Sequence, residues 1–275
     1  MAYQFLVVGG GNWYNLGPSN VFNREDESMG SNGDAAREGD PSPAKAGLWE
    51  DFVDIFYAPS SVFARRSDGK FGMPLLFLVI IAAVLVFVTK NAMQPVMDAE
   101  FARQSAAAMR KNPSLTSEQL AMGRNFFEML APIVFAIILT ISVLGTGVVL
   151  WLVGRLFDAK ESVAAAIMVA TYAEVPRIVQ ILTNAAQGLF MSPEKLTSVN
   201  SVSFSLARFM NPDTASPVII TLASRVDVFT IWVTVLLAIG LHVVGKIPKQ
   251  QAAIVAAITW VVGALFPVFG ALRAS

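Results

Sequence analysis

The run from Phe71 to Thr89 contains no charged side chain, and it constrains the chain more than any other feature. As a helix, these roughly 19 residues extend about 28 Å, enough to cross the hydrocarbon layer of a bilayer. Four more apolar segments follow, at about Phe127 to Val153, Ser162 to about Leu189, about Val228 to Val244 and about Ala252 to Leu272. A hydrophobic content of 55%, a charged content of 15% and a mean hydropathy of +0.57 agree that lipid is the solvent. The pattern predicts an all-α membrane protein: a bundle of about five transmembrane helices, preceded by an N-terminal amphipathic interfacial helix. Gly145 and Gly147 are expected to let another helix approach the second span closely. Pro132 is expected to kink that span or mark its first turn, and Pro267 to kink the end of the fifth.

The same composition removes whole classes of function. Twenty basic residues balance twenty acidic ones, so no excess positive field collects nucleic acid. Without cysteine there are no thiolate nucleophiles, iron–sulfur clusters or zinc ribbons. His242, the one histidine, sits in the apolar run Trp232 to Val244, a poor place for a Ser-His-Asp arrangement. No paired carboxylates or histidine clusters gather at a membrane face. No catalytic residue, metal ligand or cofactor is expected, and the chain reads as a non-enzyme.

The N-terminal part divides in two. Residues 1–46 are expected to be a polar, disordered tail, crowded with Gly, Ser, Asn, Asp, Glu and Pro between Asn15 and Ala46. Its start, Met1 to Val8, lacks the basic flank of a signal peptide, so no cleavage is expected. Gly9, Gly10 and Gly11 have the wrong spacing for a phosphate-binding turn. Over residues 47–70, Leu48, Trp49, Phe52, Val53, Ile55 and Phe56 recur at helical spacing, with Glu50, Asp51 and Asp54 on the other side. This predicts an amphipathic helix on the membrane surface, or one packed on another protein chain. Trp49, Phe52, Phe56, Tyr57, Pro59 and Phe63 are the expected lipid or partner contacts. The bundle then occupies residues 71–275.

Basic residues close to span ends resist translocation. Arg65, Arg66 and Lys70, then Arg155 and Lys160, then Lys246 and Lys249 fall densely on one side. The opposite side carries Lys90, Arg103, Arg110, Lys111, Arg124, Lys195, Arg208, Arg225 and Arg273, spread over two long loops and a tail. Density favours a cytoplasmic N-terminus, in the inner membrane if the chain is bacterial. In the first long loop, Thr116-Ser117-Glu118-Gln119 has the form of a capping box that starts a helix running into the second span. The second, Met191 to Arg225, has room for a short interfacial helix.

The third span carries the unusual chemistry. Glu174 and Arg177, three apart and on one helical face, flank Pro176 inside the apolar segment, and Gln180, Asn184 and Gln187 continue a polar stripe. Charges at this depth face a bundle interior or a water-filled cavity, and pairing relieves much of their desolvation cost. Pro176 has no N–H and clashes with the carbonyl of Tyr172, which frees backbone acceptors. Two readings stand: a broken helix whose Glu174, Pro176, Arg177 and Asn184 bind an ion, lipid headgroup or small solute, or an ion pair and kink that fix how five helices pack.

From Trp49 to Leu272 the chain resembles the Yip-domain proteins, integral membrane proteins named in eukaryotes for interaction with Rab-type (Ypt) GTPases. The resemblance rests on Trp49-Glu50-Asp51-Phe52-Val53-Asp54-Ile55-Phe56-Tyr57-Ala58-Pro59 with Val62-Phe63, on Thr171-Tyr172-Ala173-Glu174-Val175-Pro176, and on Asp227-Val228-Phe229-Thr230-Ile231-Trp232 running to Ala238-Ile239-Gly240. The chain departs from the eukaryotic Asp-Leu-Tyr-Gly-Pro pattern by having Tyr57-Ala58 before Pro59, and looks nearer the bacterial branch. The resemblance implies a five-helix bundle with a cytosolic N-terminus and no enzymatic activity. For eukaryotic relatives it implies roles in vesicle traffic, membrane shaping and Rab binding. The expected partners are the bilayer and a protein reached through the N-terminal segment; a homo-oligomer stays open. The main expectation is a scaffold or organiser of membranes, and the alternative is a transporter or channel with a polar site around Glu174 and Arg177.

Overall fold

Two short helices, α1 (Leu48–Asp54) and α2 (Pro59–Arg65), lead into α3 (Gly72–Lys111) in the computed structural model, which describes residues 47–274. The tail expected over residues 1–46 lies outside the described residues. Next come α4 (Ser117–Arg155), α5 (Val163–Ala173) and α6 (Pro176–Phe190), then α7 (Pro217–Arg225), α8 (Val228–Gly245) and α9 (Lys249–Ala274). Five segments are long and apolar enough to cross a membrane: α3, α4, the α5–α6 pair, α8 and α9. The chain is an integral, multi-pass membrane protein.

Burial identifies the central rod. In the third span 67% of the most apolar window is buried, against 22% in each of the first two. Every residue from Ala165 to Ala173 is buried, and the alanines among them keep α5 thin enough for α3, α4 and α8 to close around it. Gly147 supplies the closest approach: a Cβ there would come 2.6 Å from Ile167 Cα. Gly145 faces open space, so only one of the two expected small contacts is made. On the outer faces Phe87, Ile133, Ile141, Val261 and Phe266 are exposed, a surface that suits acyl chains rather than water.

The sequence expectation placed a loop of roughly 35 residues after Thr89, but α3 is a single helix of 40 residues. At about 1.5 Å per residue it is about 60 Å long, twice the hydrocarbon thickness. The stretch after Lys90 is rich in Ala, Met, Gln, Glu and Arg, which are strong helix formers, and these carry the helix on without lipid around it. After residues 112–116, α4 starts on the expected capping box: Gln119 N donates to Thr116 Oγ1 at 3.2 Å and Thr116 N to Gln119 Oε1 at 3.1 Å. Pro132 therefore lies well inside α4 rather than in its first turn, and Pro267 lies inside α9, which continues to Ala274. In the second long loop the helix is α7, beyond short 3-10 turns at Pro193–Lys195, Val199–Val202 and Leu206–Phe209.

The entrance segment is the main correction. Phe52, Ile55, Val62 and Phe63 belong to the same buried cluster as Tyr172, Val233 and Leu241, so α1 and α2 are plugged into the end of the bundle. Asp51, placed on the solvated face by its periodicity, is fully buried. The helical period registers apolar positions, but not a cation fourteen residues away that neutralises a carboxylate.

Candidate functional site: two polar clusters on the third span

Asp51 sits at the centre of the first cluster. Its Oδ1 accepts from Arg65 Nη2 at 2.8 Å, and its Oδ2 from Arg66 Nε at 2.6 Å and Tyr172 Oη at 3.2 Å. Arg65 also reaches Asp54 at 2.7 Å. Helix α2 supplies the arginine, the residue after it the second, and α5 the phenol, so one carboxylate fastens three segments. Around it the aromatics meet edge to face: Phe52 with Phe77 at 4.9 Å and with Tyr172 at 5.7 Å, and Phe56 with Trp232 at 5.4 Å. Such pairs add about 0.5–1.5 kcal/mol each beyond area burial.

This arrangement sorts the expected lipid or partner contacts. Phe52 and Phe63 are buried in the core, so neither is available to a partner. Phe56 and Pro59 are half-buried. Trp49 and Tyr57 project outward, 66% and 84% exposed.

The second cluster begins two residues after Tyr172. The third span breaks at Glu174 and Val175, where Val175 N turns back to Tyr172 O at 3.2 Å and Arg177 N to Glu174 O at 3.0 Å, before Pro176 opens α6. Glu174 is buried and accepts from Arg177 Nε, so the predicted pair forms. Arg177 Nη1 passes to Gln180 Oε1 at 3.1 Å, and Gln180 Nε2 to Asp227 Oδ1 at 3.3 Å. Asp227 in turn caps α8, accepting from Phe229 N at 2.9 Å and Thr230 N at 3.2 Å. Asn184 lies farther along α6, outside this chain of bonds, and faces a separate cavity with Ile181.

Arg225, unremarkable in sequence, completes the second cluster. It donates to Trp260 O at 3.2 Å, and its Nε has no partner among the described residues, nor has Asp227 Oδ2. Burial pushes Arg225 below the ordinary guanidinium value, like-charged Arg177 adds to this, and Glu174 opposes it. A cavity of about 80 Å³ lies among Glu174, Arg177, Arg225, Thr146, Thr230 and Thr259. It has room for a few water molecules and is well below the roughly 300–1,000 Å³ typical of small-molecule sites. His242 has a local duty, its Nδ1 lying 2.7 Å from Ile247 O at the α8–α9 turn. Among the described residues no group of three or more His, Cys, Asp or Glu could hold a metal ion.

A family model for the Yip1 domain matches residues 53–270. The chain belongs to the Yip1-domain family. No curated protein and no solved structure matches it. The Yip1-domain match takes in Arg65, Arg66, Tyr172, Glu174, Arg177 and Asp227, so both polar clusters lie within the domain, while Trp49 and Asp51 precede its matched start.

Proposed function

We propose that this Yip1-domain protein is a non-catalytic organiser of membranes, in which the bundle is the anchor and the entrance helices are the presented surface. The supporting observation is that Asp51 clamps α1 and α2 onto the third span while Trp49 and Tyr57 remain exposed at their edge. Aromatic side chains with a polar tip are suited to a headgroup layer or a protein partner. We assign the exposed Arg155, Lys160, Lys246 and Lys249, which share an end of the bundle with α1, to the cytoplasmic face. The Tyr57-Ala58-Pro59 departure places the chain with the bacterial branch of the family, and so in the inner membrane.

The test is a Trp49→Ala, Tyr57→Ala variant of the full chain. Its thermal unfolding should match the parent, because neither side chain contributes to the Asp51 clamp. Proteins cross-linked to the parent in native membranes should be lost from the variant. An unchanged set of cross-linked partners sinks this reading.

The second cluster favours one other reading, a polar conduction site. Its cavity is the right size for water or a proton and too small for a larger solute. Glu174→Gln with Arg177→Met separates the two in sealed vesicles: an organiser keeps its partners, whereas a conductor loses flux.

A further inference from the structure

The largest cavity lies at the other end of the molecule, away from both clusters. It occupies about 730 Å³ between α3, α4 and α6. Its polar lining is Lys90, Asn91 and Gln94 from α3, Asn125 and Glu128 from α4, and Asn184 from α6. A second depression of about 410 Å³ continues along the same α3–α4 seam, lined by Val79, Ala83, Ile133, Ala136, Ile137 and Ile141. On α3 the two share one face, since Val79, Ala83, Val86 and Lys90 recur at helical spacing. From Lys90 to Val79 the groove runs about 17 Å along the helix, close to one leaflet's share of a hydrocarbon layer about 30 Å thick. It therefore has a polar mouth at the membrane boundary opposite the entrance helices and an apolar channel one leaflet deep.

The charges at the mouth narrow the choice of occupant. Lys90 makes no ion pair among the described residues; its ammonium lies 4.9 Å from the Phe87 ring centre, positioned to reach a headgroup phosphate. Glu128 gives Oε1 to Arg124 Nε at 2.5 Å, and its other oxygen has no partner among the described residues. Asn184 Oδ1 is buried and also has no partner among them. One free cation beside two acceptors that want N–H donors fits a phosphodiester carrying a primary ammonium. A choline headgroup has no N–H to donate, and a glycerol headgroup brings its phosphate charge towards Glu128 with no cation to answer it.

We propose that the α3–α4–α6 groove is a binding site for one phosphatidylethanolamine molecule, with its phosphate on Lys90, its ammonium on Glu128 and Asn184, and an acyl chain along Val79 to Ile141. This goes beyond the organiser reading and does not depend on it, because none of these residues touches the entrance helices.

The experiment uses the full chain, delipidated in mild detergent, and native mass spectrometry to count retained lipid as phosphatidylethanolamine, phosphatidylcholine and phosphatidylglycerol of matched acyl chains are added. The first phosphatidylethanolamine should bind roughly tenfold more tightly than either of the others. Glu128→Gln and Asn184→Leu should each bring it towards the phosphatidylcholine value, while Lys90→Gln, an exposed change that leaves packing untouched, should weaken all three. Trp49→Ala with Tyr57→Ala should leave lipid retention unchanged even if it abolishes partner capture. Equal retention of the three lipids, or binding indifferent to Lys90→Gln, overturns the proposal.

Discussion

Tyr172 and Glu174 are two residues apart on the same span, yet they anchor clusters of opposite character. On the Tyr172 side a fully buried carboxylate is met by two arginines and a phenol, and both its oxygens are used. On the Glu174 side two arginines and two carboxylates are strung through Gln180, and Arg225 Nε and Asp227 Oδ2 are left without partners beside a small cavity. A buried charge that is fully matched holds one geometry, because every alternative leaves a charge uncompensated. A partly matched cluster has several arrangements of similar energy, and water can enter it. The first cluster is therefore a fastening, and the second is where the bundle tolerates adjustment.

That contrast breaks first at Asp51. Asp51→Ala strands the two arginines and the Tyr172 hydroxyl, and a full burial of all partners would cost about 3–5 kcal/mol. The arginine side chains are 31% and 24% exposed and recover some hydration, so a loss of about 2–3 kcal/mol is expected. It should appear as a lower midpoint of thermal unfolding in detergent and as proteolytic release of the segment before α3. Unchanged stability and protease resistance would falsify the fastening.

Tyr172→Phe tests a single bond of that cluster. It keeps the ring against Phe52 and removes one hydrogen bond while both arginines stay, so about 1 kcal/mol should be lost. The effect should vanish in an Asp51→Ala background, since coupled changes are not additive. Additive losses would show that Tyr172 acts through packing alone.

Arg225→Met probes the other side. The native guanidinium is desolvated and has one orphaned nitrogen, so an apolar side chain of similar length should leave stability within about 1 kcal/mol of the parent. A drop as large as that of Asp51→Ala would make the two clusters equivalent and erase the distinction.

The contrast also explains what could be read in advance. Uncharged runs such as Phe71 to Thr89 revealed the spans, because hydropathy is a local property. The break was visible in Pro176 and the Glu174–Arg177 pair in its spacing of three, both also local. The Asp51–Tyr172 bond joins residues 121 apart, and the Arg225 contact with Trp260 joins residues 35 apart, so neither leaves a periodic trace. Asp51 was placed on the wet face because an acid between apolar positions ordinarily lies there. The hint available was Arg65 and Arg66 following within two short helices, which orientation reasoning treated as free charges. The upper half of α3 was missed for another reason: once hydropathy falls, a lipid-based reading stops, although helix propensity continues.

The smallest effect is expected as a slope with pH at Glu161, which lies in the turn between α4 and α5. Its carboxyl is buried, both oxygens lack partners among the described residues, and a Cβ at Gly245 would come 2.8 Å from one of them. Desolvation by burial raises its pKa above the ordinary carboxylate value, with a backbone hydrogen bond and Arg155 pulling the other way. A group raised on folding binds its proton more tightly in the folded chain than in the unfolded one. Its stabilising contribution is complete below the unfolded value and is lost as pH rises through the folded one. Glu161→Gln should therefore unfold at nearly the parent's temperature in acid and at a higher temperature once the native carboxyl ionises. Midpoints for both chains across pH 4 to 8 measure this directly, and a gap that is constant with pH, or that closes as pH rises, would show that the Glu161 site holds its charge without strain.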